Sequence, residues 1–136
     1  GFPGEDDREV GETTKLVEEI GFSHIHTFPY SRRSGTRAER MDSQVSDAMK
    51  QERGRLIREL SDRNKRLYRA GFVGKRQRML VERVEEPQGD AVARGLGEHY
   101  LPIRLSGVRV APNSFLEVRI VALSDEAEPE LIAEPV

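Results

Sequence analysis

Gly71 and Gly74 constrain this sequence most, because the hydrophobic period differs on their two sides. Before them, over residues 44–70, Met49, Leu56, Leu60 and Leu67 form one stripe, with Val45, Ile57 and Tyr68 beside it. That spacing predicts one long helix, ended by the glycines. After them, residues 77–84, 91–96, 100–105 and 116–123 read as short strands. Turn signals separate them at Pro87-Gln88-Gly89-Asp90, Ser106-Gly107 and Pro112-Asn113-Ser114. Short strands at such close spacing predict a small antiparallel β-barrel. The tail from Ser124 is acidic and contains Pro129 and Pro135, so it is expected to be loose.

Upstream of the long helix, residues 1–4 form a Gly/Pro turn and residues 5–20 an amphipathic helix. Val10, Thr14, Val17 and Ile20 mark its apolar face, and acidic residues crowd its first turns, where the helix dipole favours them. Glu5 is the expected cap at its start and Gly21 at its end. Residues 22–28 read as a strand, and residues 29–36 as a loop dense in Ser, Arg and Gly. A helix followed by a strand fits one repeat of an α/β barrel.

Charge is distributed in blocks. The formal net charge is only -2, from 22 basic and 24 acidic residues, but the start and the tail are acidic and the middle is basic. The basic run from Lys50 to Arg78 allows two readings. One is a solvated helix face with Glu52, Glu59 and Asp62 as i,i+4 partners; the other is a surface that tracks phosphates. There is no cysteine, which excludes disulfides, thiolate metal sites and a cysteine nucleophile. No stretch reaches the roughly 18 apolar residues that span a bilayer, and no secretory signal is visible, so a cytoplasmic setting without membrane is expected. The absence of a starting Met suits an excised or processed piece.

Few residues invite a catalytic reading. His24 and His26 alternate on the expected strand and share a face, where they could ligate a metal, pack, or hydrogen-bond to a substrate; no third ligand has supporting spacing. Ser31 lacks the His/Asp context of a nucleophile. In the barrel half, Lys75, Arg76 and Arg78 lead into the first strand and suit phosphate neutralisation. His99 and Tyr100 are candidate base-stacking residues, with a packed role at a strand end as the rival reading for Tyr100.

Two peptides are more specific. Gly1-Phe2-Pro3-Gly4-Glu5 is followed about twenty-five residues later by Phe28-Pro29-Tyr30-Ser31-Arg32-Arg33-Ser34-Gly35-Thr36-Arg37-Ala38 and Met41. Together they resemble the methylthiotransferase branch of radical-SAM enzymes, which typically reads GFPGET, then YSxRxGTxA, then a helix of the shape KxxRxxxLxxL. Here that helix carries Lys50, Arg53, Ile57 and Leu60. Residues 71–124 resemble the TRAM domain, an OB-like barrel that contacts tRNA in this family. Phe28-Pro29-Tyr30-Ser31 and Gly97-Glu98-His99-Tyr100-Leu101-Pro102 look most like the enzymes that modify N6-threonylcarbamoyladenosine at tRNA position 37. Asp6 stands where the branch usually has Thr, Ser34 where Pro is common, and His99 where Asn is usual.

The resemblance implies an α+β chain. Residues 1–43 would be the last β/α portion of a partial TIM-like radical-SAM barrel, 44–70 a connecting helix, 71–124 the TRAM-like barrel and 125–136 a disordered acidic tail. It implies that Gly1, Phe2, Pro3, Gly4, Glu5, Tyr30, Ser31, Arg33, Gly35 and Thr36 edge the cavity for S-adenosylmethionine and substrate. Arg33 would contact a charged group or sit in a structural salt bridge. It also implies that Lys75, Arg76, Arg78, His99 and Tyr100 bind the anticodon arm of tRNA. The parent enzyme would use two 4Fe–4S clusters and S-adenosylmethionine to place sulfur on C2 of the adenine. Its CxxxCxxC motif and N-terminal cluster domain are not in these residues, so this chain alone is expected to be inactive and to hold neither a cluster nor another metal. Two alternatives remain: a methylthiotransferase acting on a ribosomal protein, and a stand-alone nucleic-acid-binding module.

Overall fold

The computed structural model describes residues 1–86 and 90–136; Pro87, Gln88 and Gly89 of the first expected turn lie outside the described residues. The chain is mixed α+β and divides into two compact units, Gly1–Lys65 and Arg66–Val136.

In the first unit, helix α1 spans Asp7–Ile20. Its start differs from expectation: Asp6, not Glu5, is the N-cap. The Asp6 carboxylate accepts from the Glu9 N–H at 2.9 Å, and the Glu9 carboxylate accepts from the Asp6 N–H at 3.1 Å. The short Asp side chain reaches back to the first turn as a cap must, and Glu5 is left to pair elsewhere. Gly21 ends the helix at φ 67°, its N–H donating to the Val17 carbonyl.

Residues 22–28 are not a strand. A strand needs a neighbour for its backbone groups, and none of the described residues supplies one here. The Ile25 N–H instead donates to Ser61 Oγ at 3.0 Å. His24 and His26 do stay on one side, with rings 4.4 Å apart edge to face. Helix α2 runs over Asp47–Ala70, three residues shorter at its start than the stripe predicts. It buries Leu60, Ser61, Asn64 and Lys65, and the Asn64 amide donates to the Val17 carbonyl of α1 at 3.2 Å. Little apolar surface is buried: Val17 and Leu60 are covered, but Leu16, Ile20, Phe22 and Phe28 are exposed.

The second unit is a closed five-stranded barrel: β1 (Arg76–Glu85), β2 (Val92–Leu96), β3 (Pro102–Ser106), β4 (Phe115–Leu123) and β5 (Leu131–Pro135), joined in the order β1-β2-β3-β5-β4. It is not wholly antiparallel, because β3 and β5 run parallel. An odd number of strands in a closed ring cannot alternate throughout, so one parallel pair is unavoidable. The acidic tail is not loose either, since it supplies β5. Leu131 and Ala133 alternate inward, and Leu131 is fully buried. A three-residue apolar alternation among glutamates was too short to read in advance.

Inward positions of every strand meet in one core, with Met79 and Val81 from β1, Ile103 and Leu105 from β3, and Val118 and Ile120 from β4. The β2 contribution is small, Ala93 and Gly95. A Cβ on Gly95 would lie 1.9 Å from the Leu80 carbonyl oxygen, so close approach of β1 requires glycine there. Bulges in β1 between Val81 and Arg83 and in β4 between Ile120 and Ala122 curl the sheet toward closure. Tyr68 and Phe72, from the last turn of α2 and the residues after it, pack against this core. Gly74 then turns the chain into β1 at φ 85°, its N–H donating to the Ile120 carbonyl at 2.8 Å.

Candidate nucleic-acid interface

Strand periodicity builds the barrel's charged surface. Gln77, Met79 and Val81 face inward, so Arg76, Arg78 and Leu80 face out. On β4, Leu116, Val118 and Ile120 face inward and Phe115, Glu117 and Arg119 face out. Lys75 immediately precedes β1, its ammonium 5.0 Å from the centre of the Phe72 ring. Among the described residues, Lys75, Arg76 and Arg78 form no ion pair. Arg78 lies opposite Glu117 in the β1–β4 register, yet its guanidinium sits 4.3 Å from the centre of the Phe115 ring.

Several other cations have partners. Arg94 of β2 donates to Glu130 and lies 3.6 Å from Glu85; Arg104 of β3 pairs with Glu126 at 2.9 Å. The hydrogen bond to Glu130 is the main reason the Arg94 pKa is raised. Arg66 and Arg69 donate to the carbonyls of Glu126 and Pro129. Along α2, Arg55 pairs with Glu52 and Glu59, and Arg53 donates to Glu5 and Asp7 at 3.0 and 2.9 Å. Hydrogen bonding from Arg55 holds the Glu52 carboxyl below its usual range. The expected i,i+4 pairing along the helix is met by Arg55–Glu59, whereas Arg53 and Arg63 pair outside α2, with Glu5 and Asp7 and with Glu18.

Next to Arg78 lies a groove of about 440 Å³ lined by Arg78, Leu80, Leu96, Gly97, Glu98, His99, Tyr100 and Phe115. A 3-10 turn over Glu98–Tyr100 precedes β3, so Tyr100 is outside the strand to which its sequence assigned it. Tyr100 is 87% exposed, which removes the packed reading, and Phe115 is 60% exposed. The His99 ring lies 5.9 Å from that of Phe72. The structure thus brings Arg78, His99 and Tyr100 to one place and adds Phe115, Leu80 and Leu96, which sequence reasoning missed. Phe115 did leave a signal: it follows a Pro-Asn-Ser turn at an outward position, where a large aromatic has no core to fill.

In the first unit, the two motif peptides lie side by side. Gly4, at φ 87°, donates from its N–H to the Ser43 carbonyl at 2.7 Å, and the Phe2 and Tyr30 rings meet edge to face at 5.5 Å. Pro3 is buried, and Glu5 accepts from Arg53. Tyr30 and Ser31 line an open cavity of about 770 Å³ with Arg32, Gln44, Asp47 and Lys50. Arg33 and Thr36 line a smaller one nearby, again with Tyr30 and Ser31. Gly35 adopts φ 82° and its N–H donates to the Glu39 carboxylate, while the Thr36 hydroxyl accepts from the Glu39 N–H at 3.2 Å. Arg33 is exposed and has no ion pair among the described residues. The same residues contain no group of three His, Cys, Asp or Glu side chains able to hold a metal ion, and the sequence offers no thiolate to an iron–sulfur cluster. No helix among them is long and apolar enough to cross a membrane.

The second unit is thus a small closed barrel on which cations without ion pairs among the described residues stand near exposed aromatic rings. Comparison with known proteins gives the family. The chain is 36% identical over 126 residues to the threonylcarbamoyladenosine tRNA methylthiotransferase MtaB of Thermotoga maritima, covering 93% of this chain and 28% of that protein. It is 31% identical to the protein of the same description from Bacillus subtilis, over 89% of this chain and 27% of the relative. It is 36% identical to the tRNA-2-methylthio-N(6)-dimethylallyladenosine synthase of Thermobifida fusca, over 88% and 25%. No family model matches. The chain belongs to the radical-SAM methylthiotransferase family and spans about a quarter of the length of the curated relatives it matches.

Proposed function

We propose that this chain is the C-terminal portion of a tRNA-modifying methylthiotransferase, and that its barrel is a TRAM-like domain that grips the anticodon arm. The observation that carries this reading is that Lys75, Arg76 and Arg78 have no carboxylate partner among the described residues, while Arg78 lies on the Phe115 ring and shares a groove with exposed Tyr100. Cations left unpaired are available to phosphates, which supply affinity without reading sequence. His99 borders the same surface. The parent's substrate would be N6-threonylcarbamoyladenosine at tRNA position 37. Phe28-Pro29-Tyr30-Ser31 favours it, and two of the three relatives named above carry that substrate in their descriptions.

Residues 1–43 would close one edge of the parent's radical-SAM barrel, with α2 leading from it toward the TRAM-like part. The exposed apolar side chains Leu16, Ile20, Phe22 and Phe28 suit surfaces that neighbouring barrel repeats would cover. Gly1 to Glu5, Tyr30, Ser31, Arg33, Gly35 and Thr36 would then border the cavity for S-adenosylmethionine and substrate, with Arg33 free for an anionic group. The radical chemistry would come from cysteine-bound 4Fe–4S clusters in the rest of the parent, because this chain has no thiolate to hold one.

The test is binding of tRNA to the 136-residue chain across a salt series. Affinity should fall steeply from low to physiological salt. Lys75→Glu with Arg76→Glu should lower it for any RNA sequence and reduce the log–log salt slope by roughly 1.5. Affinity indifferent to salt, or unmoved by the double reversal, sinks the proposal. For the parent, mass spectrometry of tRNA from cells lacking the full-length gene should show loss of the methylthio group; an intact nucleoside would move the substrate to a protein.

A further inference from the structure

We infer that the groove between Tyr100 and Phe115 is a pocket for a single unstacked RNA base, an inference that rests on the proposed RNA-binding role of the barrel. Its floor is a row of apolar side chains in register across three strands: Leu96 of β2 opposite Leu80 of β1, and Leu80 opposite Phe115 of β4. All three belong to the outward set of their strands, alternating with the inward residues Met79 and Val81, Gly95, and Leu116. An apolar row on the outside of a barrel costs solubility and contributes nothing to the core, so its use lies with a flat apolar ligand. The groove's 440 Å³ is in the range of small-ligand clefts, about 300–1,000 Å³.

Tyr100 shows how the wall is held. His99 and Tyr100 are consecutive non-glycine residues at φ 63° and 58°. For a bulky side chain this is a costly conformation. The loop they form is closed by the Gly97 N–H donating to the Leu101 carbonyl at 2.8 Å. Its effect is to stand the Tyr100 ring in water at the rim rather than fold it onto the barrel. Strain spent on exposing an aromatic ring is the mark of a contact residue and not of a packing residue.

The surrounding charges select the ligand. Arg78 caps one aromatic wall with a cation that no carboxylate among the described residues neutralises, although Glu117 stands opposite in the register. A phosphate beside the pocket would meet it while the base lies on the floor. Glu98 at the rim repels phosphate and offers an acceptor to an exocyclic amine, which favours A, C or G over U. Bases within an A-form duplex are stacked and out of reach, so the ligand must be a loop or single strand.

The experiment compares an anticodon-arm hairpin with a blunt RNA duplex of equal length, binding the 136-residue chain at two salt concentrations. Tyr100→Gly should weaken hairpin binding about 5- to 150-fold, the range for loss of one stacked base. It should leave duplex binding and the salt slope unchanged. Because glycine adopts positive φ without strain, the same variant should unfold at an equal or higher temperature. Tyr100→Phe should bind as the parent chain does, and Phe115→Ala should repeat the hairpin-selective loss. Equal loss for hairpin and duplex overturns the base pocket, as does hairpin affinity that ignores Tyr100→Gly. If the unaltered chain binds neither RNA, the RNA-binding reading itself falls; if it binds both with a steep salt dependence but ignores Tyr100 and Phe115, only the pocket does.

Discussion

The two sides of the barrel start from similar residues and end with different surfaces. On one side, Arg94 of β2 and Arg104 of β3 face outward and are met by Glu130 and Glu126, residues just ahead of β5. On the other, Arg76 and Arg78 of β1 face outward in the same way, but the strand beside them, β4, offers Phe115 and Arg119 as well as Glu117. Arg119 turns toward Glu134 of β5 at 4.0 Å, and Arg78 lies on an aromatic ring. The lesson is that a count of arginines does not locate the unpaired positive charge. What locates it is where the acidic segment lies, and that segment folds along β3 and β4, away from β1.

Three changes would break or sharpen this contrast. The largest effect should come from Leu131→Ala. Emptying a fully buried position in the strand that closes the barrel and anchors the acidic segment should cost about 2–5 kcal/mol, read from urea unfolding. A loss well under 1 kcal/mol would mean β5 is dispensable to the barrel. Next comes Glu130→Gln, which leaves Arg94 with only the longer contact to Glu85. Stability should fall by about 1 kcal/mol, since the pair is partly screened by solvent. RNA affinity should rise by a few fold as Arg94 becomes available; a fall would mean that Glu130, and not the free cations, shapes binding. The smallest change should follow Glu52→Gln on α2. The Arg55 hydrogen bond lowers the Glu52 pKa, so the pair's contribution is present above the usual carboxylate range and is lost as pH falls through the lowered folded value. The group is fully exposed, so thermal unfolding at neutral pH should not shift measurably, and any clear shift would show that the helix face is less solvated than its geometry says.

How far the sequence could be read differed between the units for one physical reason. Helices satisfy their own backbone groups, so α1, α2 and the glycines that end them were legible from local period and caps. Strands depend on partners. Residues 22–28 have the composition of a strand, but no described neighbour pairs with them and they are not one. Residues 131–135 have a weak strand signal and are one, because β3 and β4 leave a gap that Leu131 and Ala133 fill. Of the interface, Arg78, His99 and Tyr100 were visible as residue types. That they meet Phe115, fifteen residues beyond Tyr100 in the chain, follows from the β1–β4 register, which no local pattern states.

By itself, then, the sequence determined the helices, most of the strand positions, the lack of any thiolate for a cluster, and through two loop peptides the family. The tertiary structure decided that the acidic tail closes the barrel and neutralises one side of it, and that Tyr100 stands in solvent on the groove that Phe115 also lines. Both are long-range matters: which charges cancel, and which side chains share a groove, depends on strand order and register, and these are set by the shared core and not by neighbours in the chain.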